Sequence, residues 1–415
     1  MLGTTRRRLG ASALGLAAVL TVAACSSGDS GTAAEETTAA ETPAEETPAA
    51  EAPSEEAAPA ADSCELPSEI RLISVDSLTG PAGFAGVIAE NGATLAVNEI
   101  NSTGYLGEGV TLTIDVKDDA TNPDQGATEF AAAVKEDVPV VFGSVTSGVA
   151  VAEAPIAEQA GVPVVFTQAG SPGVVIGDYT FRFTPPMSSY WKDVTSYLQE
   201  QGVKTASVIY ANDYPTLIDV AESAVPAVAE AAGIEILSTT GLPSSTEDFS
   251  APINKIAKEN PDAVFFLLVG PANPTAMTQL RQAGLTDVVV IGNSGAGAGN
   301  LAPAGKDGAG MVWPAIFNTQ VDRPAVKEFI DKYKAEFGED PAVYAPERYD
   351  AVYAVADAIK AACSVDRDAV RAALADVTAA GYSGVMGDVT FEGQDIRVPG
   401  ILVQWDGETE VLLTK

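Results

Sequence analysis

The sequence has no histidine and few residues of several other reactive kinds. Its 415 residues include 3 cysteines and 23 lysines and arginines, against 57 aspartates and glutamates. Without histidine, neither a Ser-His-Asp triad nor a Cys-His pair nor a histidine-based metal site can form. The formal net charge of −34 argues against nucleic acid and anionic lipid as partners, since both are also negatively charged. We therefore expect no cofactor, no metal site and no nucleic-acid partner.

Motifs for catalysis and nucleotide binding are also missing. Residues 292–296 do not match the G-x-S-x-G pattern, and GAGAGN at 295–300 lacks G-x-G-x-x-G spacing. No Walker loop, EF-hand loop or CxxC pair is present. A serine-lysine hydrolase using Ser147 or Ser294 stays open as an alternative, although no S-x-x-K motif lies beside Ser147. The pattern favours a binding protein that is not an enzyme.

The N-terminal residues indicate export. Arg6–Arg8 precede an apolar run from Leu9 to Val22, which is too short to span a bilayer as a helix. Residues 1–24 therefore read as a signal peptide. The small residues before Cys25 resemble a bacterial lipobox, which implies that Cys25 becomes the lipidated first residue. Ordinary cleavage after Ala24, without lipid, is the alternative.

Low-complexity sequence follows Cys25. Residues 25–62 are rich in Ala, Glu, Thr, Pro and Ser and have no apolar periodicity. Such a segment cannot bury a core, so we predict a disordered acidic linker. The remaining residues, from 63 on, are enough for a large core in two lobes. We expect a monomer outside the cytoplasm, attached to the cell membrane through its lipid anchor only.

Two cysteines remain in the globular part. An exported protein with only two such cysteines favours one disulfide. Cys64 lies just before the first predicted strand, and Cys363 lies at the end of a predicted helix. We predict that they pair. Two unrelated buried thiols are the alternative.

The apolar pattern predicts an α/β fold. Continuous Val/Ile-rich runs such as IRLISVDS (70–77), PVVFGS (139–144) and DAVFFLLVG (262–270) alternate with amphipathic helical stretches. Such strands belong to parallel sheets covered by helices on both faces, connected by right-handed crossovers. We therefore expect doubly wound parallel sheets, with a ligand at the carboxyl ends of the strands.

The turn that ends VVFGSVTSG (140–148) is suited to binding an anion. Ser147 is predicted to be the N-cap of the helix that follows. A helix N-terminus at a strand end offers free N–H groups and the positive end of the helix dipole, both of which suit a carboxylate. The turn at 167–172 follows the next strand and is predicted to lie beside the first turn.

Several stretches together resemble the leucine/isoleucine/valine-binding family, the type I solute-binding proteins of ABC importers. The resemblance rests on DSLTGPAGFAG (76–86), GSVTSGVAVAEAPIAEQAGVPVVFTQAGSP (143–172), IYANDYPTLI (209–218), LRQAGLTDVVVIGNSG (280–295) and YDAVYAVADAIKAA (349–362).

This resemblance implies two doubly wound lobes joined by a three-crossover hinge, with the ligand in the cleft between them. Lobe 1 would comprise residues 63–181 and 317–395, and lobe 2 residues 182–316 and 396–415. The implied function is capture of a small carboxylate-bearing solute, such as a branched-chain amino acid, another amino acid or an amide. The implied partners are that solute and the permease subunits of an ABC importer. A protein that presents the solute to a membrane receptor is an alternative.

The resemblance also implies roles for individual residues. Ser147, with the backbone at Val145 and Thr146, would hold the ligand carboxylate. The other implied site residues are the neighbouring turn (Gln168, Ala169, Gly170), a pocket wall (Phe84), a closing residue (Tyr214) and two second-lobe loop residues (Asn273, Ser294).

Some positions depart from the family pattern. Ser294 stands where the amino-acid binders have an acidic residue for the ligand ammonium. Glu347 could supply that charge, or could instead pair with Arg348 or solvent. Trp191 replaces a usual polar residue and could narrow the pocket, stack on a planar ligand or simply pack. An amine-free carboxylate is therefore an alternative ligand.

Overall fold

The computed structural model describes residues 64–413. The predicted signal peptide, the lipidation site Cys25 and the linker to residue 62 lie outside the described residues. Among residues 64–413, no helix is both long enough and apolar enough to cross a bilayer.

The strands follow the apolar runs of the sequence. In chain order they are β1 (Glu69–Asp76), β2 (Thr111–Asp118), β3 (Val141–Phe142), β4 (Val164–Phe166), β5 (Thr180–Arg182), β6 (Thr205–Ala211), β7 (Glu235–Leu242), β8 (Ala263–Leu267), β9 (Val289–Gly292), β10 (Met311–Ala315), β11 (Tyr382–Gly384), β12 (Gly387–Glu392), β13 (Asp395–Arg397), β14 (Ile401–Trp405) and β15 (Glu410–Leu412).

The α-helices lie between the strands. They are α1 (Gly83–Thr103), α2 (Pro123–Ala133), α3 (Ser147–Ala160), α4 (Lys192–Glu200), α5 (Pro215–Asp219), α6 (Val225–Ala232), α7 (Ser250–Glu259), α8 (Asn273–Gln282), α9 (Pro324–Phe337), α10 (Tyr344–Ala362) and α11 (Arg367–Ala380). Gly104 and Gly161 end α1 and α3 in the left-handed conformation, which glycine adopts without a steric penalty.

The strands form two sheets. The first has the order β11-β12-β13-β5-β4-β3-β1-β2, and the second has the order β15-β14-β10-β9-β8-β6-β7. The central pairs are parallel, while β11–β12–β13 and β10–β14–β15 pair antiparallel at one edge of each sheet. Every residue of β8 is buried, as expected for a central strand covered on both faces. The predicted α/β fold with two doubly wound sheets is confirmed, with antiparallel edges added.

The chain passes between the two sheets three times: after β5, after β10 and after β13. The predicted lobe boundaries after residues 181 and 395 each fall inside a strand of the first sheet, β5 and β13 respectively. The division into two lobes that move against each other stays a prediction.

Cys64 and Cys363 form a disulfide, with their Cα atoms 5.5 Å apart. Cys363 is the residue just after α10 and has a left-handed backbone, with φ of 46°. The bond ties the segment before β1 to the end of α10 across 299 residues of chain. Removal of a native disulfide costs about 2–5 kcal/mol in small secreted domains, although the gain depends on strain in the native state.

Asp350 fixes the β11–β12 hairpin to α10. Its two carboxylate oxygens accept the N–H groups of Val385 and Met386 at 2.9 and 2.8 Å. A Cβ at Gly384 would lie 2.4 Å from Asp350 Oδ1, so only glycine permits this close approach. Burial raises the pKa of Asp350 from 3.8 to about 7.

This raised pKa predicts a specific pH dependence of stability. Below about pH 4 the carboxyl is protonated in both states, and its contribution to stability is fully present. Between pH 4 and 7 the unfolded chain loses the proton first, so the free energy of unfolding falls. We expect the difference in unfolding free energy between wild type and Asp350→Asn to decrease over this window, as measured by urea unfolding at several pH values.

Asp322→Asn is the matched control. Asp322 is exposed, and its pKa is lowered by Lys327, so any contribution it makes is lost as the pH falls rather than as it rises. A difference between wild type and Asp350→Asn that stays constant from pH 4 to 7 would contradict the prediction.

Candidate ligand-binding site

A cavity of 90 Å³ lies at the carboxyl ends of strands from both sheets. Its lining residues are Ala82, Phe84, Ala85, Val145, Thr146, Ser147, Gln168, Met187, Tyr214, Thr216, Leu217, Leu268, Val269, Gly270, Asn293, Ser294, Gly295 and Tyr344.

The turn between β3 and α3 forms one wall. The helix begins at Ser147, and Thr146 is the N-cap, with no side-chain capping bond. The prediction that Ser147 is the N-cap is therefore wrong by one residue. The first N–H groups of α3 have no partner within the helix and lie at the positive end of its dipole. The Ser147 side chain therefore does not cap the helix and instead lines the cavity.

The backbone N–H groups of Val145 and Thr146 are already engaged. Val145 donates to Asp76 Oδ1 at 2.9 Å, and Thr146 donates to Ser144 Oγ at 3.2 Å. These two N–H groups therefore shape the turn, contrary to the expectation that they hold a ligand carboxylate. Both residues still line the cavity.

Ser147 connects the turn to two other segments. Its Oγ accepts the N–H of Ser171 at 3.1 Å and lies 2.5 Å from Thr216 Oγ1. Ser171 belongs to the turn after β4, which confirms that the two strand-end turns are neighbours. Thr216 lies on α5 in the second-sheet part of the chain. The Ser147–Thr216 contact therefore joins the two walls of the cavity.

A buried ion pair lies beneath the turn. Arg348 Nη2 lies 2.7 Å from Asp76 Oδ2, and neither side chain is exposed. The same Arg348 donates to Gly143 O at 3.2 Å and to Thr167 Oγ1 at 3.1 Å. Burial raises the pKa of Asp76 to about 7, although Arg348 opposes that shift. This pair fixes the ends of three neighbouring strands.

Gln168 has an unusual backbone. Its φ is 62°, a left-handed conformation that costs a residue other than glycine roughly 1–2 kcal/mol. The side chain lines the cavity, and its Nε2 is buried without a hydrogen-bond partner among the described residues. Strained residues of this kind concentrate at functional sites.

Aromatic side chains form the remaining walls. Phe84 and Tyr344 pack edge to face, with ring centroids 5.7 Å apart. Tyr214 comes from the part of the chain that forms the second sheet, just before α5, and lies on the opposite wall. Its hydroxyl is buried with no partner within residues 64–413, and burial raises its pKa to about 12. Phe84 and Tyr214 both line the cavity, as the resemblance implied.

The second sheet contributes Ser294 and its neighbour Asn293. Asn293 Oδ1 accepts the N–H of Leu268 at 3.1 Å, which holds two of the lining loops together. Asn273 does not line the cavity. Its Nδ2 donates to Gly270 O at 3.1 Å and lies 3.4 Å from Gly295 O, so it supports the lining loops from behind.

Three further predicted residues lie away from the cavity. Trp191 is buried and stacks on Phe265, with ring centroids 6.4 Å apart, so it packs in the core and does not narrow the pocket. Ala169 is buried, and its carbonyl accepts from Arg182. Gly170 accepts the N–H of Met187 at 3.2 Å. Ala169 and Gly170 therefore position the turn without lining the cavity.

Glu347 lies one helical turn after Tyr344 on α10 and is not exposed. Its two carboxylate oxygens make no hydrogen bond of ordinary geometry within residues 64–413, although the Thr184 side chain lies close enough to oppose the rise in its pKa. Arg348 bonds to Asp76 and Thr167, and Glu347 is buried, so the alternative in which Glu347 pairs with Arg348 or solvent is wrong. The alternative in which Glu347 supplies a charge to the ligand stays a prediction. Burial raises the pKa of Glu347 well above its usual value, which favours a neutral carboxyl. Glu347 does not line the cavity.

Thr216 and Tyr344 are lining residues that the sequence did not indicate. Thr216 lies two positions after Tyr214, at the start of the short helix α5. Its closeness to Tyr214 in the sequence could have indicated that it lines the cavity. Tyr344 is the first residue of α10 and reaches the cavity only because α10 packs against α1. No sequence spacing links it to the strand-end turns.

The fold and the cavity define a class: two α/β sheet domains with three connections and a small ligand cavity at the strand ends. The chain belongs to the periplasmic binding protein family, which it matches over residues 69–408. It is similar to the leucine-, isoleucine-, valine-, threonine- and alanine-binding protein of Pseudomonas aeruginosa. That similarity is 27% identity over 309 residues, covering 74% of this chain and 82% of the relative.

Solved structures share the fold. The branched-chain amino acid transporter substrate-binding protein LivJ from Streptococcus pneumoniae, in complex with isoleucine, superposes with a TM-score of 0.74. Its identity is 23%, and the match covers 84% of this chain and all of the other. A solute-binding protein of an ABC transporter from Rhodopseudomonas palustris, in complex with 3,4-dihydroxybenzoic acid, has a TM-score of 0.75. Its identity is also 23%, with coverage of 84% and 97%.

The family resemblance is therefore confirmed. The proteins of this family are solute-binding proteins and not enzymes.

The ion pair beneath the turn leads to a stability prediction. Arg348→Met keeps much of the side-chain volume but leaves Asp76 buried without its partner. We expect a loss of about 3–5 kcal/mol in the free energy of unfolding at pH 8, measured by urea denaturation. Arg71→Met is the control, because Arg71 forms an exposed pair with Asp115, and such pairs contribute about 1 kcal/mol or less. Equal losses in the two variants would contradict the assignment.

Proposed function

We propose that this protein is an extracytoplasmic solute-binding lipoprotein that captures a small carboxylate-bearing solute and delivers it to the permease of an ABC importer. The solute is a branched-chain amino acid or a related amino acid or amide, with an amine-free carboxylate as the second candidate. The observation that carries this proposal is the small cavity between strand ends of both sheets, with Ser147 at the N-terminus of α3 on its wall.

The cavity supplies what a small carboxylate needs. The N-terminus of α3 favours a negative group, and the Ser147 hydroxyl can donate to it. Phe84, Tyr344 and Leu217 provide apolar surface for the rest of the solute. Because the walls come from both sheets, a hinge motion would enclose the ligand between them. Closure would then exclude water from the solute and from the polar lining groups that bind it.

The ligands of similar proteins support a carboxyl group in the solute, and they differ in whether an amine is present. The Pseudomonas relative is named for amino acids, and the two structures hold isoleucine and 3,4-dihydroxybenzoic acid. These two bound solutes both carry a carboxyl group, and only isoleucine carries an amine. Ser294 on the cavity wall favours the second candidate, because a hydroxyl cannot neutralise an ammonium.

Attachment to the membrane rests on the N-terminal sequence. Arg6–Arg8, the apolar run and the small residues before Cys25 support export followed by lipidation. The acidic linker of residues 25–62 would then connect the anchor to the binding domain. We place the protein on the outer face of the cell membrane as a monomer that meets permease subunits there. Presentation of solute to a membrane receptor is the competing function.

Ser147→Ala tests the binding site. A thermal-shift screen of amino acids, amides and carboxylates on protein that has been unfolded and refolded first identifies a stabilising ligand. We expect Ser147→Ala to weaken binding of that ligand by roughly 10- to 100-fold in calorimetry, since a hydrogen bond to a charged group contributes about 1.5–3 kcal/mol. Ser102→Ala, an exposed serine on α1, should leave the affinity unchanged.

Two outcomes would contradict these statements separately. Unchanged affinity in Ser147→Ala would refute the role of Ser147. A refolded wild-type protein that no member of the panel stabilises would refute the proposed function.

Cys25→Ser tests the anchor. We expect the wild-type protein to incorporate labelled palmitate in bacteria and to sediment with membranes, because an acyl chain partitions into the bilayer. The Cys25→Ser variant should incorporate no label and should leave the membrane fraction. Unlabelled wild-type protein that begins at Cys25 would instead indicate ordinary cleavage after Ala24.

A further inference from the structure

Within residues 64–413, no charged side chain lines the cavity. The lining residues are apolar, aromatic or neutral polar, and the polar ones are Thr146, Ser147, Gln168, Thr216, Asn293, Ser294 and the two tyrosines. The composition of the wall sets which charges a bound solute can carry.

An ammonium group would be poorly accommodated in this cavity. Moving a charged group out of water costs several kcal/mol unless an opposite charge or several acceptors replace the water. Asn293 Oδ1 is already used by the N–H of Leu268. The Ser147 and Thr216 hydroxyls contact each other. Ser294 offers a single neutral hydroxyl. The lining side chains thus offer few free acceptors for an ammonium, and none of them is a carboxylate.

Hydrogen-bond donors, by contrast, are in excess. Gln168 Nε2 and the Tyr214 hydroxyl are both buried, both on the cavity wall and both without partners in residues 64–413. A buried donor without an acceptor costs about 1–3 kcal/mol. Gln168 is in addition held in a left-handed backbone conformation, with φ of 62°. A solute that brings acceptor oxygens would satisfy these donors.

Together with the N-terminus of α3, this arrangement points to one ligand class. On the basis of the function proposed above, we propose that the solute is a carboxylate without an ammonium group, and that Gln168 Nε2 donates a hydrogen bond to its carboxylate beside Ser147. Gln168 is then a specificity-determining residue whose side chain, and not only its backbone, contacts the ligand.

Glu347 is the acidic residue that could overturn this inference. It follows Tyr344 by one turn of α10, and it influences the pKa values of Tyr344 and Tyr190. It is fully buried and is not among the residues that line the cavity. A carboxyl group that does not reach the cavity wall cannot pair directly with an ammonium inside the cavity.

Matched pairs of compounds test the inference. L-leucine and 4-methylpentanoate differ only by the amine, as do phenylglycine and phenylacetate. Calorimetry on purified, refolded full-length protein measures the four affinities. We expect the amine-free member of each pair that binds to bind at least tenfold more tightly than its amino counterpart. Equal or tighter binding of leucine or phenylglycine within its pair would overturn the inference and leave the proposed function standing.

Two variants identify the residues responsible. Gln168→Gly removes the amide while keeping a backbone that glycine adopts readily, so its melting temperature should not fall. We expect at least a tenfold loss of affinity for the preferred carboxylate in this variant, and unchanged affinity would refute the role of Gln168. Ser294→Glu places a carboxylate on the wall and should shift the preference towards the amino compound.

Glu347→Gln tests the competing explanation, in which Glu347 pairs with a ligand ammonium. If Glu347 received an ammonium, this variant would lose leucine binding that the wild type shows, and that result would overturn the inference. We expect leucine to bind as weakly to the variant as to the wild type. Failure of every amino acid, amide and carboxylate in the wider panel to bind would instead overturn the proposed function itself.

Discussion

The buried Arg348–Asp76 pair is the interaction on which the site depends. Arg348 comes from α10, yet it contacts the end of β1 through Asp76, the end of β3 through Gly143 O and the end of β4 through Thr167. Asp76 in turn accepts the N–H of Val145. A single guanidinium, with its several donors in a fixed plane, thereby sets the relative positions of the strand ends that carry Ser147 and Gln168.

This arrangement leaves the cavity itself without charge. The ionised and titratable groups of the first sheet, including Asp76, Glu153 and Asp119, lie below the turn, where they hydrogen-bond to its backbone and hydroxyls. The surface that meets the solute presents hydroxyls, amides and aromatic rings. The acidic groups that stabilise the turn are therefore separate from the side chains that line the cavity. Burial raises the pKa values of these three carboxyl groups.

The opposite wall depends on chain connectivity. The chain crosses between the sheets after β5, β10 and β13, so Tyr214, Thr216 and Ser294 reach a cavity whose other half is formed by Phe84 and Ser147. The Ser147–Thr216 hydroxyl contact shows how closely the walls approach. A solute held there would touch both sheets, so its binding would favour the arrangement in which the two walls are close together.

The sequence by itself determined the strand-end turns, because continuous apolar runs of β1, β3 and β8 stop at polar or glycine-rich residues and parallel strands share one edge. It also indicated Phe84, Gln168, Tyr214 and Ser294 through family resemblance. Only the tertiary structure decided which side chains line the cavity. Thr216 and Tyr344 line it, while Trp191 and Glu347 do not, because helix packing sets orientation and local periodicity carries no information about distant neighbours.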